Sequence, residues 1–162
     1  MTHGYHSALA AIIAQKKTLD GIISARDEAA RASAQRAAAE LLRQRNLWRT
    51  QLLPRLQHAL HDINEALEEA QIQLREIPQR GPEPFVGSVI FVLFIDGQPV
   101  PQKLRIGCDR AGTLSVQRLE ATETQVESLA ATALDTEAAG RLLTEFISFI
   151  CDRRFSQLQA CA

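Results

Sequence analysis

The sequence predicts an α+β fold: a long N-terminal helical arm (a helical hairpin or coiled coil), then a small antiparallel β-meander packed by a C-terminal helix. Three observations predict it. No proline interrupts the first 53 residues, where Ala, Leu, Arg, Gln and Glu, all strong helix formers, dominate. From Leu53 apolar residues recur in steps of three and four. After a segment rich in Pro and Gly, the pattern changes to runs and alternations typical of strands. The expected organisation is a helical oligomerisation arm over 1–77, a linker over 78–84 and a small α+β module over 85–162.

In the arm, Tyr5, Leu9, Ile12, Leu19 and Ile23 fall on one helical stripe, interrupted by Lys16. Ser24 and Asp27 have capping-box spacing and Gly21 lies just before them, which predicts a bend or restart near 20–25. Thr50 can cap a new helix with Pro54 in its first turn; the other reading is a kinked continuous helix. The strongest pattern is Leu53, Leu56, Leu60, Ile63, Leu67, Ala70, Leu74 and Ile77. With Leu53 at position a, every a and d site is apolar, which predicts helix over 53–77 and a helix–helix seam along one face. The flanking positions are Gln57, Ala59, Asn64, Ala66, Gln71 and Gln73. None is charged, and the small alanines widen the stripe, as in a bundle or antiparallel hairpin. Residues 24–55 carry a balance of +4 and residues 56–84 a balance of −4. Folding one segment onto the other, within or between chains, neutralises both; exposed pairs contribute only about 0.2–1 kcal/mol each but choose orientation.

Pro78, Gly81, Pro82 and Pro84 are read as ending the helix. "FVGSVIFVLFI", 85–95, is rich in β-branched and aromatic residues and reads as a strand. Asp96-Gly97 is a tight-turn signal. Residues 103–109 alternate, with Leu104, Ile106 and Cys108 on one side, and 113–121 alternate with Leu114 and Val116 inward. The simplest arrangement is a three-stranded meander, with 122–134 left between strand, loop and helical turn. That places Phe85–Ile95 at an edge with both faces apolar, a hazard unless covered. The C-terminal helix, about 137–158 and capped by Asp135 or Thr136, is expected to cover one face through Leu142, Phe146 and Ile150. Phe85, Val89, Phe91 and Leu93 are expected to meet the arm, a partner or a second subunit.

Composition limits the functional classes. The net charge is −1 and the longest apolar run is 11 residues, too short for a membrane-spanning helix of about 20. The start of the chain lacks signal-peptide character, and three cysteines without CxxC spacing read as reduced thiols, so a cytoplasmic setting is expected. No P-loop, GxGxxG, HExxH or GxSxG motif occurs. His58, His61, Asp62 and Glu65 have ligand-like spacing but lie away from the seam, and read as a solvated face. Cys108 sits on the apolar side of its strand and reads as a structural thiol. In "RQRNLWRTQLLPR", Arg43, Arg45, Arg49 and Arg55 surround Trp48, the combination that contacts nucleic acid through phosphates and stacking. A core Trp48 with arginines balanced by the following acids explains the same residues. The functional expectation is therefore a non-enzymatic, homo-oligomeric protein–protein interaction module, such as an adaptor, scaffold or chaperone-like protein. Its expected partners are a second copy of itself and an unidentified protein, with no cofactor, metal or membrane. The alternative is a nucleic-acid-binding regulator using 43–55.

Overall fold

The computed structural model describes residues 3–79, 85–120 and 124–161. It shows an α+β fold with a long N-terminal helix, an antiparallel sheet and a C-terminal helix. The order is α1 (His3–Leu47), a π-helical turn (Trp48–Leu52), α2 (Leu53–Leu67), a 3-10 turn (Glu68–Ala70), β1 (Ile72–Gln79), β2 (Phe85–Ile95), β3 (Gln98–Asp109), β4 (Thr113–Leu119), β5 (Thr124–Ala130), a second 3-10 turn (Ala131–Ala133) and α3 (Thr136–Cys161). Two compact units divide the chain, Met1–Glu40 and Leu41–Ala162.

In the first unit α1 runs through Gly21 and Ser24 without the expected break. A glycine inside a helix costs about 1 kcal/mol, too little to end one this long. Lys16 Nζ donates to Asp20 Oδ2 at 2.8 Å, one turn on.

In the second unit the helix passes Pro54 by widening. The Leu53 N–H donates to the Trp48 carbonyl, five residues back, rather than the usual four. Thr50 does not cap; its Oγ1 donates back to the Asn46 carbonyl at 2.6 Å. Proline has no N–H to offer the preceding turn, and the wide turn absorbs that loss without stopping the helix.

The helix expected to reach Ile77 ends at Leu67, and residues 72–79 form a strand. Gln71 reverses the chain in the left-handed region at φ 55°. From there Leu74 faces the core and Ile77 the opposite side of the sheet. Asn64 stabilises this arrangement: its Nδ2 donates to the Leu74 carbonyl and its Oδ1 accepts the Leu74 N–H, both at 2.8 Å. An amide side chain thus mimics the neighbouring strand that Leu74 lacks. Residues 78 and 79, expected in the linker, belong to β1, and 80–84 lie outside the described residues.

All five strands are antiparallel, in the order β1-β2-β3-β4-β5. The expected meander of three strands is therefore the centre of a five-stranded sheet. β2 is not at an edge, because β1 flanks it from Ile72↔Ile95 to Gln79↔Ser88. Asp96 and Gly97, both at positive φ, close the β2–β3 hairpin as the sequence predicts.

One face of the sheet carries Leu74, Val89, Phe91, Leu93, Leu104, Ile106, Cys108, Leu114 and Val116. Trp48, Leu52, Leu56 and Ala59 from the helical side and Leu143, Phe146, Ile147 and Ile150 from α3 complete this core. α2 lies along α3, and the Arg55 guanidinium donates to the Leu134 carbonyl at 2.7 Å. α3 starts on a cap in which Asp135 Oδ1 accepts the Ala138 N–H at 2.7 Å. The other face carries Ile90 and Val92, buried separately from that core. The register sets Ile77 and Arg75 beside them on β1, and Arg105 and Lys103 on β3. Long basic side chains cover an apolar row with their methylene stems.

Candidate interaction surfaces

The residues expected to face a partner from β2 are internal. Val89, Phe91 and Leu93 are 0–1% exposed. Of the covers expected, the arm or a second subunit, it is the arm's own α2, together with α3, that lies on them. Phe85 differs for a local reason. A register shift between Phe85 and Gly87 turns it to the opposite face, where its ring lies on Gly107.

The heptad seam, expected to pack within or between chains, is used within one. Leu56 and Leu74 are fully buried; Leu53, Leu60, Ile63 and Leu67 are half-buried against the same core. Ala70 and Ile77 are exposed, because the helix has ended before them. As far as Leu67 the heptad side chains pack on the sheet and α3.

The unpartnered apolar stripe lies instead on α1. Every described side chain from Gly4 to Glu40 is exposed. Tyr5, Leu9, Ile12, Leu19 and Ile23 are 47–64% exposed, and Ile13 and Ile22 broaden the stripe. Their spacing places them at d and a positions of a heptad, with Lys16 at the a position between Ile12 and Leu19.

The Arg/Trp segment divides. Trp48 is 6% exposed and its indole occupies the space over Gly87 that any side chain there would need. It is not available to stack on a base. Arg55 is half-buried and bonded to the Leu134 carbonyl, while Arg43, Arg45 and Arg49 remain exposed.

Three other features bear on chemistry. His58 forms an exposed pair with Asp62 at 3.6 Å, and no cluster of three metal-ligating side chains occurs among the described residues. His61, Asn64, Glu65 and Glu68 line a cleft of about 540 Å³ with Arg75 and Phe94, the guanidinium lying 4.0 Å from the ring centroid. Cys108 is fully buried, and burial, with Asp109 adding to it, pushes its thiol up to about 11. Such a thiol is protonated at neutral pH and is a poor nucleophile. Among the described residues no helix is long and apolar enough to cross a membrane.

The two sheet edges contrast. On β1 the outward N–H and C=O of Leu74 are taken by Asn64. On β5 every residue but Leu129 is exposed, Val126 at 60%. Asn64 carries no motif in the sequence, and 122–134, without clear alternation, stays open there between strand, loop and helical turn. No family model, curated protein or solved structure matches the chain.

Proposed function

We propose that the protein is a non-enzymatic, self-associating protein–protein interaction module. In this reading α1 pairs with α1 of a second copy, and the Leu41–Ala162 unit is presented to a further protein. The exposed heptad stripe from Tyr5 to Ile23 carries the reading. Isolated helices gain most of their stability from packing an apolar face. Seven large apolar side chains, each with roughly 100 Å² left in water, give about 1,400 Å² across two helices, within the roughly 1,200–2,000 Å² of stable interfaces. The raised Cys108 thiol and the intrachain burial of the α2 and β2 apolar seams support binding rather than catalysis.

Light scattering tests it. The full chain is expected to have at least twice the mass of one chain, and Leu9→Asp with Ile23→Asp to lower that mass. A monomeric parent protein overturns the reading. Tight, salt-dependent binding of mixed DNA or RNA that is lost on replacing Arg43, Arg45 and Arg49 by Glu favours the nucleic-acid regulator instead.

A further inference from the structure

We propose that β5 is a second self-association site, at which two copies pair strand to strand, antiparallel, about a two-fold axis through Val126. The site is separate from α1 and extends the reading of the protein as a self-associating module.

The first reason is the difference between the two edges. Natural sheets protect edge strands with charges, prolines, bulges or covering segments, because outward N–H and C=O groups otherwise recruit another strand. β1 has such protection where Asn64 occupies the backbone of Leu74. Of these devices β5 has only a single charge. Its seven residues, "TQVESLA", contain no Pro, Lys or Arg and one charge, Glu127. Its pairing with β4 is regular from Thr113↔Ala130 to Leu119↔Thr124, with no bulge to twist the edge away. Six of the seven residues are exposed.

The second reason is self-complementarity. For two sheets to join with their faces continuous, residues of matching orientation must stand opposite each other. Four axes near the strand centre satisfy this, and one at Ser128 sets the Glu127 carboxylate against the apolar Leu129. An axis at Glu127 sets two carboxylates opposite, which is unfavourable. An axis at Gln125 leaves Glu127 opposite no residue of β5. An axis at Val126 sets Val126 against its equivalent, Gln125 against Glu127 of the second copy and Thr124 against Ser128, each pair occurring twice. The Gln125 amide then donates to a carboxylate, the hydroxyls pair, and the exposed valines bury each other on the face away from α3. Charge, hydrogen-bonding capacity and shape all select this register.

The consequence is a ten-stranded sheet across the two-fold, and, where α1 pairs as well, assemblies larger than a dimer. Each contact uses the same patch on both copies, so two such contacts on one chain build a closed tetramer or an open row.

The test is site-specific. With Cys151→Ser and Cys161→Ser removing the accessible thiols, Val126→Cys is expected to give a disulfide-linked dimer on mild oxidation, since opposed strand residues lie within the roughly 4.4–6.8 Å that a disulfide spans. The exposed Thr132→Cys, in the same background, is expected to link no faster than random collision allows. Leu9→Asp/Ile23→Asp is expected to leave dimers held at β5, Val126→Asp to leave dimers held at α1, and all three together to give monomers. Gln125→Glu, which puts carboxylates opposite, is expected to weaken the β5 dimer, and Gln125→Glu/Glu127→Gln to restore it. Cross-linking at Val126 no faster than at Thr132, or a Leu9→Asp/Ile23→Asp chain that is already monomeric, overturns the β5 site. A chain that Val126→Asp alone makes monomeric overturns the pairing of α1 and leaves β5 standing, so the two failures are told apart.

Discussion

Gly87 has no room for a side chain, because the Trp48 indole lies against its Cα. Gly87→Ala should force the ring out of a core in which Trp48 is 6% exposed, and overpacking of that kind costs about 1–3 kcal/mol. Urea unfolding followed by Trp48 fluorescence measures both the loss and the displaced ring; unchanged stability and emission would count against the packing. Asn64→Ala should cost about 1–3 kcal/mol, because it leaves the Leu74 N–H and C=O without partners at a half-buried edge. Cys108 provides a pH signature. Its folded-state thiol is held up at about 11 from an ordinary 9.0 by burial first and Asp109 second. Between those values the folded chain holds a proton that the unfolded chain releases. Stability from this group is therefore complete below pH 9 and falls as pH rises towards 11. Cys108→Ala should flatten that part of the stability–pH curve, a difference absent at pH 7.

At the scale of elements, legibility followed how many independent signals agreed. α2 was readable because spacing and composition pointed the same way up to Leu67. β1 was not, because Leu67, Ala70, Leu74 and Ile77 continue a heptad while Ile72 and Leu74 equally begin a strand. The deciding event is the left-handed turn at Gln71, a residue type that does not announce it. Losing β1 placed β2 at an edge and made its apolar faces look like an interface. The stripe of α1 was legible residue by residue, but not the exposure of its side chains, because a sequence pattern marks an apolar face without saying whether it is buried. Gly21 shows the reverse case: a break was expected where the helix continues. Nothing lies within 4 Å of the position a Cβ would take there. Gly21→Ala should therefore stabilise the helix by about 1 kcal/mol, read as increased helical circular dichroism near the melting midpoint. A loss of helicity would mean that the glycine serves a contact made by another molecule.

For the whole molecule, the division at Glu40 and Leu41 separates a segment whose described side chains are all exposed from the residues that build the core. A fragment 41–162 contains every residue of the core cluster, both helices that pack on the sheet and all five strands. It is expected to fold, to unfold cooperatively and to bind no hydrophobic dye. A fragment 83–162 keeps α3 and β2 but loses Trp48, Leu52, Leu56, Ala59 and the whole of β1. Its Val89, Phe91 and Leu93 lose their helical cover on one side, and β2 becomes an edge. Each large side chain returned to water forgoes about 1.5–3 kcal/mol, so three or four together approach the 5–15 kcal/mol that a domain has in total. The shorter fragment should aggregate or bind dye strongly. The pair of fragments separates two accounts of the apolar strand. If cover comes from α2 and β1 of the same chain, removing 1–40 is harmless to folding and removing 1–82 is ruinous. If cover came from a second subunit joined through α1, both truncations would expose the strand, and fragment 41–162 would bind dye as well.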